Sequence, residues 1–184
     1  MSRRAANPVQ LAPRDQALGS VRILGIDPGS QITGFGIVDI DGARTTAVEW
    51  GCIRTNGEHG ERLRSIFTAI GEVVREYQPG EIAIERVFLS RNADSALKLG
   101  QARAAAICAT FAAEVPIFEY SARHIKKAVV GRGAAEKDQV QRMVQMILGV
   151  REAIAPDAAD ALATAICHAN ERNLRGALQA AAKS

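Results

Sequence analysis

The chain is poor in the residues that build metal clusters and disulfide frameworks. Its three cysteines, Cys52, Cys108 and Cys167, are odd in number, scattered and in no CxxC pattern. That excludes a cysteine zinc site and suits a reducing, cytoplasmic setting. Its three histidines, His59, His124 and His168, fall in no ligand spacing either. No run of about 18 consecutive apolar residues occurs, which excludes a membrane-spanning helix, and the first residues lack the apolar stretch of a secretory leader. Internal repeats and interdomain linkers are absent. Neither sign of charge dominates: the formal net charge is +3. What remains is an ordinary globular composition, 184 residues of which 23% are charged. That is the size of one domain whose core stands without covalent staples.

The location of the charge says more than its sum. Residues 1–20 carry Arg3, Arg4 and Arg14 against Asp15 alone, so the rest of the chain holds a net charge of only +1. With Pro8, Pro13, Gly19 and Ser20 and no sustained apolar period, residues 1–20 read as a flexible basic arm. A single folded domain then runs over 21–172, and the alanine-rich residues 173–184 are expected to trail off as a flexible tail.

Between these ends the hydrophobic pattern changes period in order. VRILGID (21–27), TGFGIVDI (33–40) and TTAVEWGCIRT (45–55) read as three antiparallel strands joined through Asp-Pro-Gly and Asp-Gly turns. Leu63, Ile66, Phe67, Ile70, Val73, Val74 and Tyr77 recur at helical spacing up to Pro79-Gly80. EIAIERV (81–87) is a buried strand, residues 92–114 a long helix capped by Asn92, and VPIFEY (115–120) a fifth strand. Helices follow from Ser121, after the Gly-Arg-Gly loop at 131–133, and from Pro156. The order βββαβαβ followed by helices predicts an α/β fold, a mixed five-stranded sheet with helices on both faces.

Four carboxylates stand where burial alone would not put them. Asp27 ends the first apolar strand and Glu85 the fourth. Asp157 and Asp160, three residues apart, share a face of the last helix. Three have an ordinary explanation taken alone: a turn for Asp27, a strand-end ion pair in the neighbourhood of Arg86 or with Lys98 for Glu85, a helix start for Asp157. Asp160, one turn in beside Ala161 and Leu162, is harder to explain as a cap. Four together are better explained by one site. Such a cluster repels itself unless cations neutralise it, and hard ions such as Mg²⁺ or Mn²⁺ take oxygen ligands. Two ions about 4 Å apart can activate water on one side of a phosphodiester and stabilise the leaving oxygen on the other.

The stretches ILGIDPGSQITGFGIV, AIERVFLSRNADSALKLGQARAAA, VVGRGAAEKDQVQRMV and PDAADALATAICH, in that order over residues 22–170, closely resemble the RuvC family of bacterial Holliday-junction resolvases. The resemblance implies an RNase H-like fold, a homodimer, and cutting of four-way DNA junctions by paired nicks that depends on Mg²⁺ or Mn²⁺, in recombination and repair. It also implies partnership with the RuvA–RuvB branch-migration machine. Matched motif by motif, the family's catalytic acids fall on Asp27, Glu85, Asp157 and Asp160, its aromatic wedge on Phe88, and its basic DNA-handling residues on Lys126 and Lys137, with Lys127 and Arg132 as helpers. Arg91 stands where lysine is frequent in the family and Ala104 where glycine is, and the arm lies outside the pattern. Stacking of an exposed ring on an unpaired base contributes about 1–3 kcal/mol whatever the base, and lysines around a glycine-flanked loop suit phosphates.

Three further readings fit parts of the pattern. An RNase H-like nuclease of other specificity would use the same acids. GIDPGS also resembles the first phosphate loop of actin-like ATPases, but Asp157 is followed by alanines, where a second phosphate loop would need glycines. A non-catalytic junction-binding protein would gain nothing from four acids facing phosphate.

Overall fold

The computed structural model describes residues 20–87 and 92–182. Residues 1–19 of the arm, Phe88 and Arg91 lie outside the described residues. Five strands, β1 (Val21–Asp27), β2 (Ile32–Asp41), β3 (Arg44–Arg54), β4 (Glu81–Arg86) and β5 (Ile117–Ser121), form one sheet in the order β3-β2-β1-β4-β5. The first three are antiparallel, whereas β4 and β5 run parallel to β1. β1, β3, β4 and β5 therefore all end at the same edge of the sheet.

Strand alternation divides the core in two. Leu24, Ile26, Ile37, Ile82 and Ile84 face helices α1 (His59–Tyr77) and α2 (Ala93–Cys108). Ile23, Val38, Ile40 and Ala83 face α3 (Ala122–Val130), α4 (Lys137–Leu148) and α5 (Pro156–Ala181). The mixed sheet covered on both faces is the predicted architecture. At the edge away from the strand ends, buried Arg22 grips Asp39, its register partner on β2, through two bonds of 2.8 and 2.9 Å, and donates to the Tyr77 carbonyl. This fixes the β1–β2 register to the end of α1.

Helix α5 positions the site. Its residues Ala158, Ala159 and 161–169 are all buried, because the helix lies between the sheet and the helices α3 and α4. Alanine fills these positions since the sheet beneath is close. A methyl at Gly25 would overlap the Ala161 carbonyl oxygen and crowd Ala165.

Two boundaries differ from the sequence reading. The helix expected over 92–114 stops at Cys108; the Thr110 hydroxyl bonds back to the Ile107 carbonyl (2.7 Å), and a 3-10 turn, Phe111–Ala113, leads to Glu114 in the left-handed region. The tail expected to fray from residue 173 is helical to Ala181. Alanine, leucine and arginine favour helix on their own account, so the segment continues α5 although its side chains are exposed.

Candidate active site

The four acids meet at the edge where the strands end. Asp27 closes β1, and Glu85 sits next to last on the neighbouring β4, since Ile26 pairs with Ile84. Asp157 and Asp160 reach the same edge because the first turns of α5 lie over β2, where Gly34 is in register with Asp27. All four are half-buried.

Their electrostatics are those of a cluster. Burial first, then the charges of Glu85, Asp160 and Asp157, push the Asp27 carboxyl up to about 8, with Lys137 opposing. Burial and the charge of Asp160 raise Glu85, against Lys137 and Lys126. Burial raises Asp160, against a Lys137 ammonium 3.4 Å from its Oδ2. Carboxyls raised by one another ionise more readily when a cation joins them. Among the described residues no three His, Cys, Asp or Glu side chains are grouped closely enough to enclose an ion by themselves. An open acidic edge fits Mg²⁺, which keeps several waters and binds through one or two carboxylates plus substrate phosphate oxygens.

The ordinary ion pair considered for Glu85 does not form: Lys98 pairs with Asp94, four residues before it, at 2.7 Å. Lys137, at the start of α4, and half-buried Lys126, on α3, are close enough to influence the acids. Lys127 and Arg132 are exposed, and among the described residues Lys137 is the basic residue that pairs with one of the four acids.

Sequence reading missed the residues that hold the acids in place. Arg103 on α2 donates to the Glu85 carbonyl (3.3 Å) and pairs with Glu119 on β5 (2.9 Å), bracing the end of β4. The loop after Asp27 is held by Thr33, whose hydroxyl donates to the Gly29 carbonyl (2.9 Å), and by buried Thr55, which donates to the carbonyls of Ser30 and Gln31. Half-buried Cys52 lies against the first turn of α5, where burial raises its thiol and the nearby Ala158 backbone opposes the rise. The polar residues inside apolar stretches were the available signal, but their partners lie on other elements.

Comparison with known proteins places this arrangement among characterised folds. The family model described as crossover junction endodeoxyribonuclease RuvC matches residues 23–168. A crossover junction endodeoxyribonuclease RuvC from Shewanella sp. (strain MR-4) is 57% identical over 147 residues, 79% of this chain and 85% of the relative. The structure of Thermus thermophilus RuvC in complex with Holliday junction substrate superposes with a TM-score of 0.78 at 35% identity, covering 84% of this chain and 96% of that one. The yeast mitochondrial Holliday junction resolvase shares the fold, with a TM-score of 0.60 at 11% identity, covering 91% of this chain and 85% of its own.

Proposed function

The chain belongs to the RuvC family of crossover junction endodeoxyribonucleases, and from that premise we propose that it resolves four-way DNA junctions by hydrolysis at the Asp27, Glu85, Asp157 and Asp160 edge. The observation that carries the assignment of the site is the convergence of four carboxyls from β1, β4 and α5, with Asp27 pushed up to about 8. Half-buried acids that raise one another store repulsion that divalent cations would relieve.

The residues divide the work by position. Asp27, Glu85, Asp157 and Asp160 would hold Mg²⁺ or Mn²⁺, two per site, through their carboxylate oxygens, and such ions would supply a polarised water and charge for the leaving oxygen. Lys137, beside Asp160, approaches the phosphate that the acids alone would repel, and Lys126, Lys127, Arg132 and Arg91 hold the backbone on either side. Phe88, three residues after Glu85 in the chain, stacks on bases at the opened junction.

Two nicks of matching polarity call for two sites related by a two-fold axis. The surface assigned to the second copy is the exposed side of α2, where Ala93, Ala96, Gly100 and Ala104 leave room for close approach around Leu97, 62% exposed. The family resemblance adds the RuvA–RuvB machine as the partner that delivers the junction.

One assay tests the proposal: a labelled four-way junction and a matched duplex, each incubated with Mg²⁺, Mn²⁺ or EDTA. Paired nicks in the junction alone, absent in EDTA, are expected. Equal cutting of the duplex would favour an RNase H-like nuclease of other specificity, and cutting in EDTA would overturn the metal site.

A further inference from the structure

Arg54 is a charged residue at the acidic edge that neither the spacing of motifs nor the family resemblance selects. It ends β3, opposite Ile32 on β2, and β2 in turn places Gly34 opposite Asp27. At about 4.8 Å between strands, with a two-residue offset, Arg54 lies roughly 10–12 Å from Asp27. It stands on the β3 side of Asp27, whereas Glu85 stands on the β4 side.

Its side chain belongs to the face that carries α5. Trp50 and Cys52 pack into the α5-side core, whereas Ile53 packs on the other face, and alternation puts Arg54 with Cys52. Cys52 lies within electrostatic reach of the Ala158 backbone, Asp157, Arg54 and Asp27 together. Arg54 is exposed, and among the described residues its guanidinium makes no hydrogen bond or ion pair.

Its backbone is nevertheless fixed. The next residue, Thr55, is buried; its N–H donates to the Gln31 carbonyl (2.9 Å) and its hydroxyl to the carbonyls of Ser30 and Gln31. Those carbonyls belong to the loop that leaves Asp27. A free guanidinium on a rigid strand end, tied to the loop beside an acidic cluster, has no internal charge to satisfy. It is placed for an anion arriving at the same edge, and a planar guanidinium matches a phosphate with two parallel donors.

We propose that Arg54 binds a DNA phosphate adjacent to the scissile one, on the β3 side of the acids, so that the strand is held across the site from Arg54 to Lys126. The proposal rests on the reading of the acidic edge as a junction-cutting site. Arg54 then fixes the register of the strand over Asp27, while Lys137 serves the phosphate between.

The experiment uses the full chain with a synthetic four-way junction. Affinity is measured in EDTA against salt concentration, and single-turnover nicking is measured in Mg²⁺ at saturating protein. Arg54→Ala is expected to flatten the slope of log affinity against log salt by about 0.9 per protomer, and to slow nicking about tenfold at unchanged thermal midpoint. Arg54→Lys keeps the charge and should keep most of the slope. Arg44→Ala removes the same charge from the opposite end of β3 and should change neither quantity. Arg54→Ala behaving like Arg44→Ala would overturn the proposal, and so would Arg54→Lys losing as much slope as Arg54→Ala. The salt slope does not require cutting. Failure of the unaltered protein to nick junctions would therefore strike the functional reading, whereas an unchanged slope strikes only Arg54.

Discussion

Gly34 lies directly beneath the carbonyl of Asp157, so closely that a methyl group on its α-carbon would overlap that oxygen. This contact is where the sheet meets the helix that carries half of the acidic cluster. A side chain there must lift the first turn of α5 or bend β2. Gly34→Ala is therefore expected to destabilise the fold by about 1–3 kcal/mol, the usual cost of overpacking. Nicking should fall further than junction binding, because Asp157 and Asp160 move off the edge while the basic residues stay. Denaturant midpoints beside single-turnover rates check this; a variant as active and stable as the unaltered chain would show that the contact does not set the site.

Asp27→Asn tests the role of the central acid. The amide keeps the volume and removes the charge that Glu85, Asp160 and Asp157 oppose. Nicking in Mg²⁺ should disappear, by analogy with the loss of a group required for the chemical step, while junction binding in EDTA is retained or strengthened. Gel retardation and nicking on the same junction separate the two, and normal cutting would remove Asp27 from the metal site.

The candidate acids were legible because each interrupts a pattern. Asp27 and Glu85 close apolar strands, and Asp160 sits in an alanine-rich helix. The strands too were legible to within a residue or two, since alternation and Asp-Gly turns are local signals. What could not be read is pairing between distant elements. That β3 ends at the same edge as β1 puts Arg54 near the acids, and only the β2–β3 register reveals it. Arg103 reads as one more polar position on an alanine-rich helix until β4 and β5 are seen beside it. The end of α2 was misjudged because alanine continues past Cys108, whereas the Thr110 side-chain bond that turns the chain competes with the helix locally.

Leu97 offers a test of the dimer. An exposed leucine among alanines and a glycine on α2 gives a second copy a smooth surface, and a charge there is costly to bury. Leu97→Glu should leave the unfolding free energy of the protomer within about 0.5 kcal/mol of the unaltered chain and shift sedimentation from dimer to monomer. Nicks on the two strands should then become uncoupled. A variant that remains dimeric would move the interface elsewhere.

Phe88→Ala separates wedge from packing. If the ring stacks on junction bases, its loss should leave duplex affinity unchanged and slow resolution, with about 1–3 kcal/mol of stacking removed. Fluorescence of 2-aminopurine placed at the junction centre reports unstacking directly. Equal fluorescence and equal resolution in both proteins would assign the ring to the protein's own packing.

His168 gives a pH dependence that belongs to the fold and not to the chemistry. It is fully buried on α5, stacked on Phe118 at 4.2 Å, between the Tyr120 hydroxyl at Nδ1 and the Glu81 carboxylate at Nε2, both 2.7 Å away. A carboxylate only accepts, so Nε2 carries the proton and Nδ1 accepts from Tyr120; the neutral ring satisfies both partners. Burial lowers its pKa below the ordinary 6.5; Glu81 opposes, and Arg175 and Arg172 add to the lowering. Because the unfolded chain then takes up a proton first, the contribution of His168 is complete above about pH 7 and is lost as pH falls below 6.5 toward the folded value. Asp27, raised to about 8, works in the other direction: folding gains as pH falls through 8 toward the ordinary carboxylate range. The difference between the unaltered chain and His168→Gln cancels Asp27 and isolates the histidine. Urea midpoints from pH 8 to pH 5 should show the unaltered chain losing its advantage over His168→Gln as the solution is acidified. Parallel curves would mean that the buried ring keeps its ordinary protonation in the folded protein.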